Sequence, residues 1–368
     1  LDAVDWYQNT VGVDLYALSF ANEPDFAQSF NSCVWAGEQY RDFVKMLGPA
    51  LRAKDPTVKV FGAERMLRDF GQTCAKTLID PEAAPYLDVV AVHGYSDGVE
   101  AENLDQLKNY WGGTRSVRSF IHGGNPASKK MDAWMTETSG YATNWDGAMQ
   151  LARSIFYALG WGDVSAWVWW QLCSSSSPNV YELMSHGNPT ERYYASKHFY
   201  RWIRPDAVRI DATTADSTVE LLAFNHKAHK TLTVIAINPT SGTKQISLQG
   251  NNLPSSFEVY RSTSSNQNCS QQADHSSGGT LSLPANSITT LYGTGYNPPA
   301  VKITPESLAR ARALQARVAG QIAEVYDLNG RLVGRKVNAV SRGQATGVRV
   351  VRSRIGDASI GSSRVVGQ

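Results

Sequence analysis

Short apolar runs recur along the first half of the chain, and the stretches between them return an apolar side chain every third or fourth residue. The runs predict strands at Leu15–Phe20, Val58–Gly62, Leu87–Tyr95, Asp132–Glu137 and Val164–Leu172, while Glu38–Lys54 and Asp146–Gly160 carry helical periodicity. Strands alternating with helices predict an α/β fold with a parallel sheet. From Asp206 to Tyr292 the pattern changes to short β-branched runs broken by Gly, Asn, Ser and Pro, which predicts an antiparallel sandwich. Ala323–Val333 reads as two strands around an Asn-Gly hairpin turn.

Length and charge divide the chain further. Its 368 residues leave room for two or three domains, and 42% hydrophobic with 18% charged residues is ordinary for a soluble globular protein. No stretch approaches a membrane span. Residues 1 to 299 carry 23 Lys and Arg against 29 Asp and Glu, whereas residues 300 to 368 carry 12 against 4. The sign changes at Gly293–Ala300, a turn-rich linker. The reading is a barrel-like domain over 1–205, a sandwich over 206–294, a linker over 295–305 and a basic β-rich domain over 306–368. That last segment holds one aromatic, Tyr326, too few to interleave with its cations for nucleic-acid binding.

Four cysteines, Cys33, Cys74, Cys173 and Cys269, allow one or two disulfides, and spacing does not choose among the pairings. None forms a Cys-x-x-Cys pair, and His226-Lys-Ala-His229 sits in a polar turn, so no metal and no cofactor is expected.

The chemistry gathers around two glutamates. Glu23, in Phe20-Ala-Asn-Glu-Pro-Asp25, and Glu137, in Asp132-Ala-Trp-Met-Thr-Glu-Thr-Ser-Gly140, each follow an apolar strand into a polar loop. Catalytic groups of a (β/α)8 barrel stand at such strand ends. Two carboxyls suffice to cleave a glycosidic bond: one protonates the leaving oxygen and the other attacks the anomeric carbon, at a separation of about 5–5.5 Å in a retaining enzyme.

The Asn-Glu-Pro and Thr-Glu-Thr-Ser-Gly segments, with Tyr193–Asp211 and Leu283–Leu291, resemble glycoside hydrolase family 30, a group of clan A retaining glycosidases. The resemblance implies a (β/α)8 TIM barrel followed by a side β-sandwich. In the family's order Glu23 ends the fourth strand and Glu137 the seventh, so the chain is expected to lack roughly its first three strands. The start at Leu1, without a signal segment, is read the same way. By resemblance Glu23 is the acid/base and Glu137 the nucleophile. Asn22 contacts the sugar 2-hydroxyl, Tyr95 orients the nucleophile, and Trp170 floors the subsite of the cleaved sugar. His93 shares Tyr95's strand end and is a substrate-binding candidate, while Trp35, Trp111, Trp145 and Tyr141 are candidates for flanking subsites.

Asn31–Phe43 and Trp169–Leu172 resemble the xylan-cleaving members, which implies a secreted endo-β-1,4-xylanase acting on plant cell-wall polysaccharide. The glucuronoxylan-specific subgroup reads its acidic branch with an arginine after the eighth strand. No arginine occurs between Arg153 and Arg192, so a broader xylanase is expected. The alternatives within the family are a β-1,6-glucanase, a β-1,6-galactanase or a glucosylceramidase-like enzyme, and outside it a non-catalytic carbohydrate-binding fragment. Residues 323–333 and Gly347–Arg352 resemble a C-terminal sorting domain of the type IX or a related bacterial secretion route, which implies the bacterial secretion machinery as a partner and a secreted or cell-surface location.

Overall fold

The computed structural model describes residues 1–67, 70–95, 109–111, 131–174 and 179–298, together with four strands between 323 and 366. Helix α1 (Asp2–Asp5) runs on as a wider turn to Val11, and Gly12, at φ 74°, ends it in the left-handed conformation that glycine adopts without penalty. Five strands follow: β1 (Ala17–Ser19), β2 (Lys59–Met66), β3 (Val89–His93), β4 (Asp132–Glu137) and β5 (Ala166–Trp167). They lie side by side in chain order, with β1 on β2, β2 on β3 and β4 on β5 in parallel register. This is a parallel half-barrel, and each strand overlaps its predicted segment, although β5 is confined to Ala166–Trp167 within the expected Val164–Leu172 and β2 runs past Gly62 to Met66.

Helices α2 (Gly37–Lys54), α3 (Phe70–Ile79) and α4 (Trp145–Gly160) lie between the strands and after β4. Helix α2 buries Tyr40, Val44, Gly48 and Leu51, one helical stripe that meets the sheet's side of the core. Tyr40 lies so close to Gly62 on β2 that a Cβ there would stand 1.8 Å from the Tyr40 hydroxyl. Only glycine fits at that point. All five residues of β3 are buried, as expected of a central parallel strand.

A small three-stranded sheet, β6 (Cys173–Ser174), β7 (Met184–Ser185) and β8 (Asn188–Pro189), precedes helix α5 (Glu191–Tyr200). The antiparallel region then runs through β9 (Val208–Ile210), β10 (Glu220–His226), β11 (Thr231–Asn238), β12 (Lys244–Ile246), β13 (Ser256–Thr263), β14 (Asn266–Gln271), β15 (His275–Ser276), β16 (Leu281–Leu283) and β17 (Ser287–Thr294). Its main sheet has the order β14-β13-β17-β11-β10-β9, with β15 beside β13, and β12 pairs β16 as a second layer. Val234, Ala236, Phe257, Leu283 and Leu291 form the heart of this β-sandwich.

Four more strands, β18 (Ala323–Tyr326), β19 (Leu332–Lys336), β20 (Arg349–Ser353) and β21 (Ser363–Val366), form an antiparallel sheet in the order β19-β18-β20-β21. The hairpin expected around Asn329-Gly330 is present as the β18–β19 pair, whereas its turn and the linker beyond 298 lie outside the described residues. Among the described residues no helix is long and apolar enough to cross a membrane.

By contacts the chain divides into two compact units, one holding 1–136, 161–167 and 302–368, the other 137–160 and 168–301. All four cysteines are free thiols, so neither of the possible disulfides is formed. Burial pushes the Cys74 thiol up to about 11 and that of Cys269 likewise. At the polar turn after β10, His226 accepts the His229 backbone N–H through Nδ1 at 3.2 Å.

Candidate active site

In the first unit the strand stops before its glutamate. β1 ends at Ser19, and Glu23 stands four residues on, at φ 45°, in a turn closed by the Phe26 N–H donating to the Glu23 carbonyl at 3.0 Å. Pro24 explains the departure from a simple strand end. It presets the turn's second position and bars the helical region to the residue before it.

Glu23 is only 5% exposed, and both carboxylate oxygens are engaged. Gln28 Nε2 donates to Oε2 at 2.6 Å, and His93 Nδ1 lies 2.9 Å from Oε1. His93, the last residue of β3, is fully buried, and its Nε2 faces Oε1 of Glu64 at 3.5 Å. Glu64 in turn accepts the Ser19 hydroxyl at Oε2, 2.5 Å away. The result is a line of side chains that runs from half-buried Ser19 past buried Glu64, His93 and Glu23, with half-buried Gln28 at its far end.

The backbone of β2 makes this line possible. Ala63 pairs with Ala91 and Arg65 with Val92, so Glu64 is the extra residue of a β-bulge, at φ 57°. A bulge re-aims one side chain without losing the ladder on either side. Its neighbour Arg65 goes elsewhere: Nη1 donates to Thr73 on α3 at 2.7 Å, and Nε lies 3.4 Å from the Asp25 carboxylate. Arg65 thereby ties the turn after Glu23 to β2. The Tyr95 ring stands edge-on to His93 with centroids 6.3 Å apart, and Asn22 is exposed on the loop before Glu23.

In the second unit Glu137 is the half-buried last residue of β4. The residues after it are bound to the segment that carries the tryptophans. Trp170 N–H donates to the Thr138 carbonyl at 2.8 Å, and Gly140 N–H to that of Val180 at 3.1 Å. Trp170 itself is 50% exposed, whereas Trp169 is buried and donates Nε1 to the Tyr181 carbonyl at 2.9 Å. The Trp170–Gln171 peptide is cis. Arg192, almost wholly buried, donates to the carbonyls of Tyr141, Asn179 and Glu182 and so pins the loops on both sides of Trp170.

Glu23, His93 and Tyr95 come together in the first unit with Asn22 beside them, and Glu137 and Trp170 share a backbone framework in the second. Three of the aromatic candidates are core residues: Trp111 and Tyr141 are buried, and Trp145 is buried with its Nε1 on the Asn286 carbonyl at 3.0 Å. They pack and cannot line a subsite, while Trp35 is half-buried against Phe43. Sequence reading missed Glu64. The available signal was a carboxylate directly after the apolar run Val58–Ala63, where a strand would otherwise bury only apolar side chains.

Residues 1–200 match the Glycosyl hydrolase family 30 TIM-barrel domain, and residues 206–291 match that family's beta sandwich domain. Glucuronoxylanase XynC of Bacillus subtilis (strain 168) is 27% identical over 299 residues, covering 78% of this chain and 63% of XynC. The chain thus spans less than two thirds of that relative's length. Among solved structures, the family 30 subfamily 8 xylanase Xyn30A from Clostridium acetobutylicum superposes with a TM-score of 0.62 at 24% identity, covering 78% of this chain and 68% of Xyn30A. The endo-beta1,6-glucanase BT3312 superposes with a TM-score of 0.57 at 21% identity, covering 80% and 62%.

Proposed function

The chain belongs to glycosyl hydrolase family 30, and from that premise we propose that it forms the catalytic part of a secreted retaining endo-β-1,4-xylanase acting on xylan or glucuronoxylan. The observation that carries this reading is Glu23, a buried carboxyl held on both oxygens, one of them by an imidazole. Such a group can be kept in one orientation while its proton comes and goes. Similarity to XynC and Xyn30A supports xylan as the substrate.

In this reading Glu137 attacks the anomeric carbon as the bond to the leaving oxygen breaks, and Glu23 gives that oxygen its proton. Water then attacks the glycosyl-enzyme, Glu23 takes the water's proton, and Glu137 leaves as a carboxylate. Asn22 holds the 2-hydroxyl, Tyr95 orients the nucleophile, and the open face of Trp170 covers the C–H face of the sugar ring. Export through a type IX-like route, with the basic 306–368 segment as the sorting signal, belongs to the same proposal and is supported by the resemblance of its strands.

Incubation with glucuronoxylan, linear xylan and β-1,6-glucan, with products read by mass spectrometry, tests the assignment. Xylo-oligosaccharides that disappear in Glu137→Gln are expected. Glucan products with no xylan products would move the chain to the β-1,6-glucanase reading that the likeness to BT3312 favours. Binding without turnover would make it a carbohydrate-binding protein.

A further inference from the structure

Arg192, in the first turn of α5, is a buried cation that the mechanism above does not use. It is 1% exposed, and among the described residues no carboxylate pairs with it. Glu182, whose charge it feels, accepts the Asn179 N–H at 3.0 Å and the Ser174 hydroxyl at 3.3 Å. Carbonyls satisfy the guanidinium instead: Nη1 donates to Tyr141 at 2.5 Å and grazes Ala142 at 3.4 Å, while Nη2 donates to Asn179 at 2.5 Å and Glu182 at 2.8 Å. Taking a charge out of water for carbonyls alone is costly, and an apolar side chain would fill the same space without that cost. Those carbonyls belong to the two segments on either side of Trp170. One leaves Glu137 without regular structure and takes the Trp170 N–H on the Thr138 carbonyl at 2.8 Å. The other takes the Gln171 N–H on the Tyr181 carbonyl and returns the Leu183 N–H to Gln171 at 3.0 Å and the Met184 N–H to Leu172 at 2.8 Å.

We propose that Arg192 is a positioning residue for the nucleophile: one guanidinium fixes the segment that leaves Glu137 against the segment that backs Trp170, and so sets the carboxylate's place relative to the bound sugar. This rests on the reading of Glu137 as nucleophile and Trp170 as sugar floor. The task calls for arginine. Its planar fork donates from both ends at once, here Nη1 to one segment and Nη2 to the other, whereas a lysine ammonium on its single stem is a point donor. The guanidinium carbon also lies 5.9 Å from the ring centroid of Trp169, the buried neighbour of Trp170, and Trp169 donates its Nε1 to the Tyr181 carbonyl of the second segment at 2.9 Å. Glu137, Trp170, Arg192 and both segments belong to the second unit. A misplacement of about 1 Å at the reacting atoms is enough to cost roughly 10²-fold, so a clamp remote from the sugar can govern the rate of attack.

The test isolates the attack itself, using the 2,4-dinitrophenyl 2-deoxy-2-fluoro glycosides of xylobiose and of a β-1,6-linked glucose disaccharide. A Glu137 oxygen bonds to the anomeric carbon, the bond to the phenolic oxygen breaks, and dinitrophenolate leaves with the electron pair. It needs no proton, so Glu23 takes no part. Mass spectrometry of the intact protein and its peptides gives the labelling rate at saturation, the reagent concentration at half that rate, and the fraction of molecules labelled. In Arg192→Lys and Arg192→Gln the saturating rate is expected to fall about tenfold or more, while the half-saturating concentration stays within about threefold and every folded molecule is eventually labelled. An unchanged rate with fewer molecules labelled overturns the proposal, because the arginine then serves folding alone. Failure of both variants to fold overturns it for the same reason. A loss confined to the half-saturating concentration also overturns it, since Arg192 would then act on binding and not on attack. The parent protein reads the premise separately: a label on a residue other than Glu137, or none from either reagent, ends the nucleophile reading and the proposal with it.

Discussion

Strand β11 pairs all eight of its residues with β17 and seven of them with β10, without a break, whereas β2 is interrupted at Glu64 and β1 and β5 pair only three and two residues. The two sheets also bury different polar groups. The sandwich hides neutral ones: Thr233 donates to the Trp202 carbonyl at 2.8 Å, and His198 lies between the hydroxyls of Thr290, at 2.8 Å, and Ser262, at 3.0 Å. The half-barrel hides the carboxylates of Glu23 and Glu64 around one imidazole. Regular ladders satisfy the backbone completely and leave side chains only packing to do. Positive φ at Glu23 and Glu64 sacrifices ladder for the chance to aim a carboxylate.

The sharpest way to break this contrast is to remove charge at a candidate catalytic position. Glu137→Gln should lower turnover of xylan by about 10⁴-fold or more, equivalent to roughly 5.5 kcal/mol of transition-state stabilisation, and leave the melting temperature close to that of the parent. A large drop in melting temperature would show that the half-barrel's carboxylates hold the fold as well. The converse substitution lies in the sandwich core. Phe257 is fully buried and packs beside Gly293, so Phe257→Ala should destabilise by about 3–5 kcal/mol in denaturant unfolding. Turnover per folded molecule should be unchanged, measured below the unfolding transition.

The third test uses pH. Burial lowers the pKa of His198 from 6.5 to about 3, so the folded protein holds this ring neutral. In the unfolded chain the ring takes a proton near its ordinary value. His198 therefore contributes its full stability above about pH 6.5 and loses it as pH falls toward 3, by about 1.4 kcal/mol per unit. Urea unfolding at several pH values should show that slope, and His198→Gln should flatten it.

Much of this molecule is legible in its sequence alone. Strand and helix positions follow from periodicity because both faces of the parallel sheet and one face of each helix must be apolar, and the sandwich announces itself through turns around β-branched runs. Glu137 is legible too, since β4 does end on it. What the pattern misses is local. Glu23 leaves its strand early because Pro24 demands a turn, and no hydrophobic period encodes where a ladder stops. Glu64 is invisible because a bulge adds one residue and shifts the alternation that would otherwise mark it as facing the wrong way. Trp111, Trp145 and Tyr141 look like sugar platforms and are core, because composition alone cannot tell an aromatic that stacks on a ligand from one that fills a gap.

Helix α5 is where the two styles meet within one element, and it supplies the smallest test. Near its start Arg192 holds the carbonyls of the loops that flank Trp170, and near its end His198 and Phe199 are buried, His198 against sandwich hydroxyls. Thr190 caps the helix, its hydroxyl oxygen accepting the Tyr193 N–H at 3.4 Å while its O–H donates to the Leu183 carbonyl at 2.7 Å. Thr190→Ala removes both bonds and should cost about 1 kcal/mol, read by thermal or denaturant unfolding. Arg192 lies within the first turn, so fraying there would loosen the carbonyls it organises before it disturbs His198. If turnover falls further than the lost stability accounts for while the pH slope of His198 persists, the site's framework depends on the order of this first turn. If stability alone changes, buried Arg192 keeps its three carbonyl partners without the cap, and the regular and irregular regions are separable even where one helix serves both.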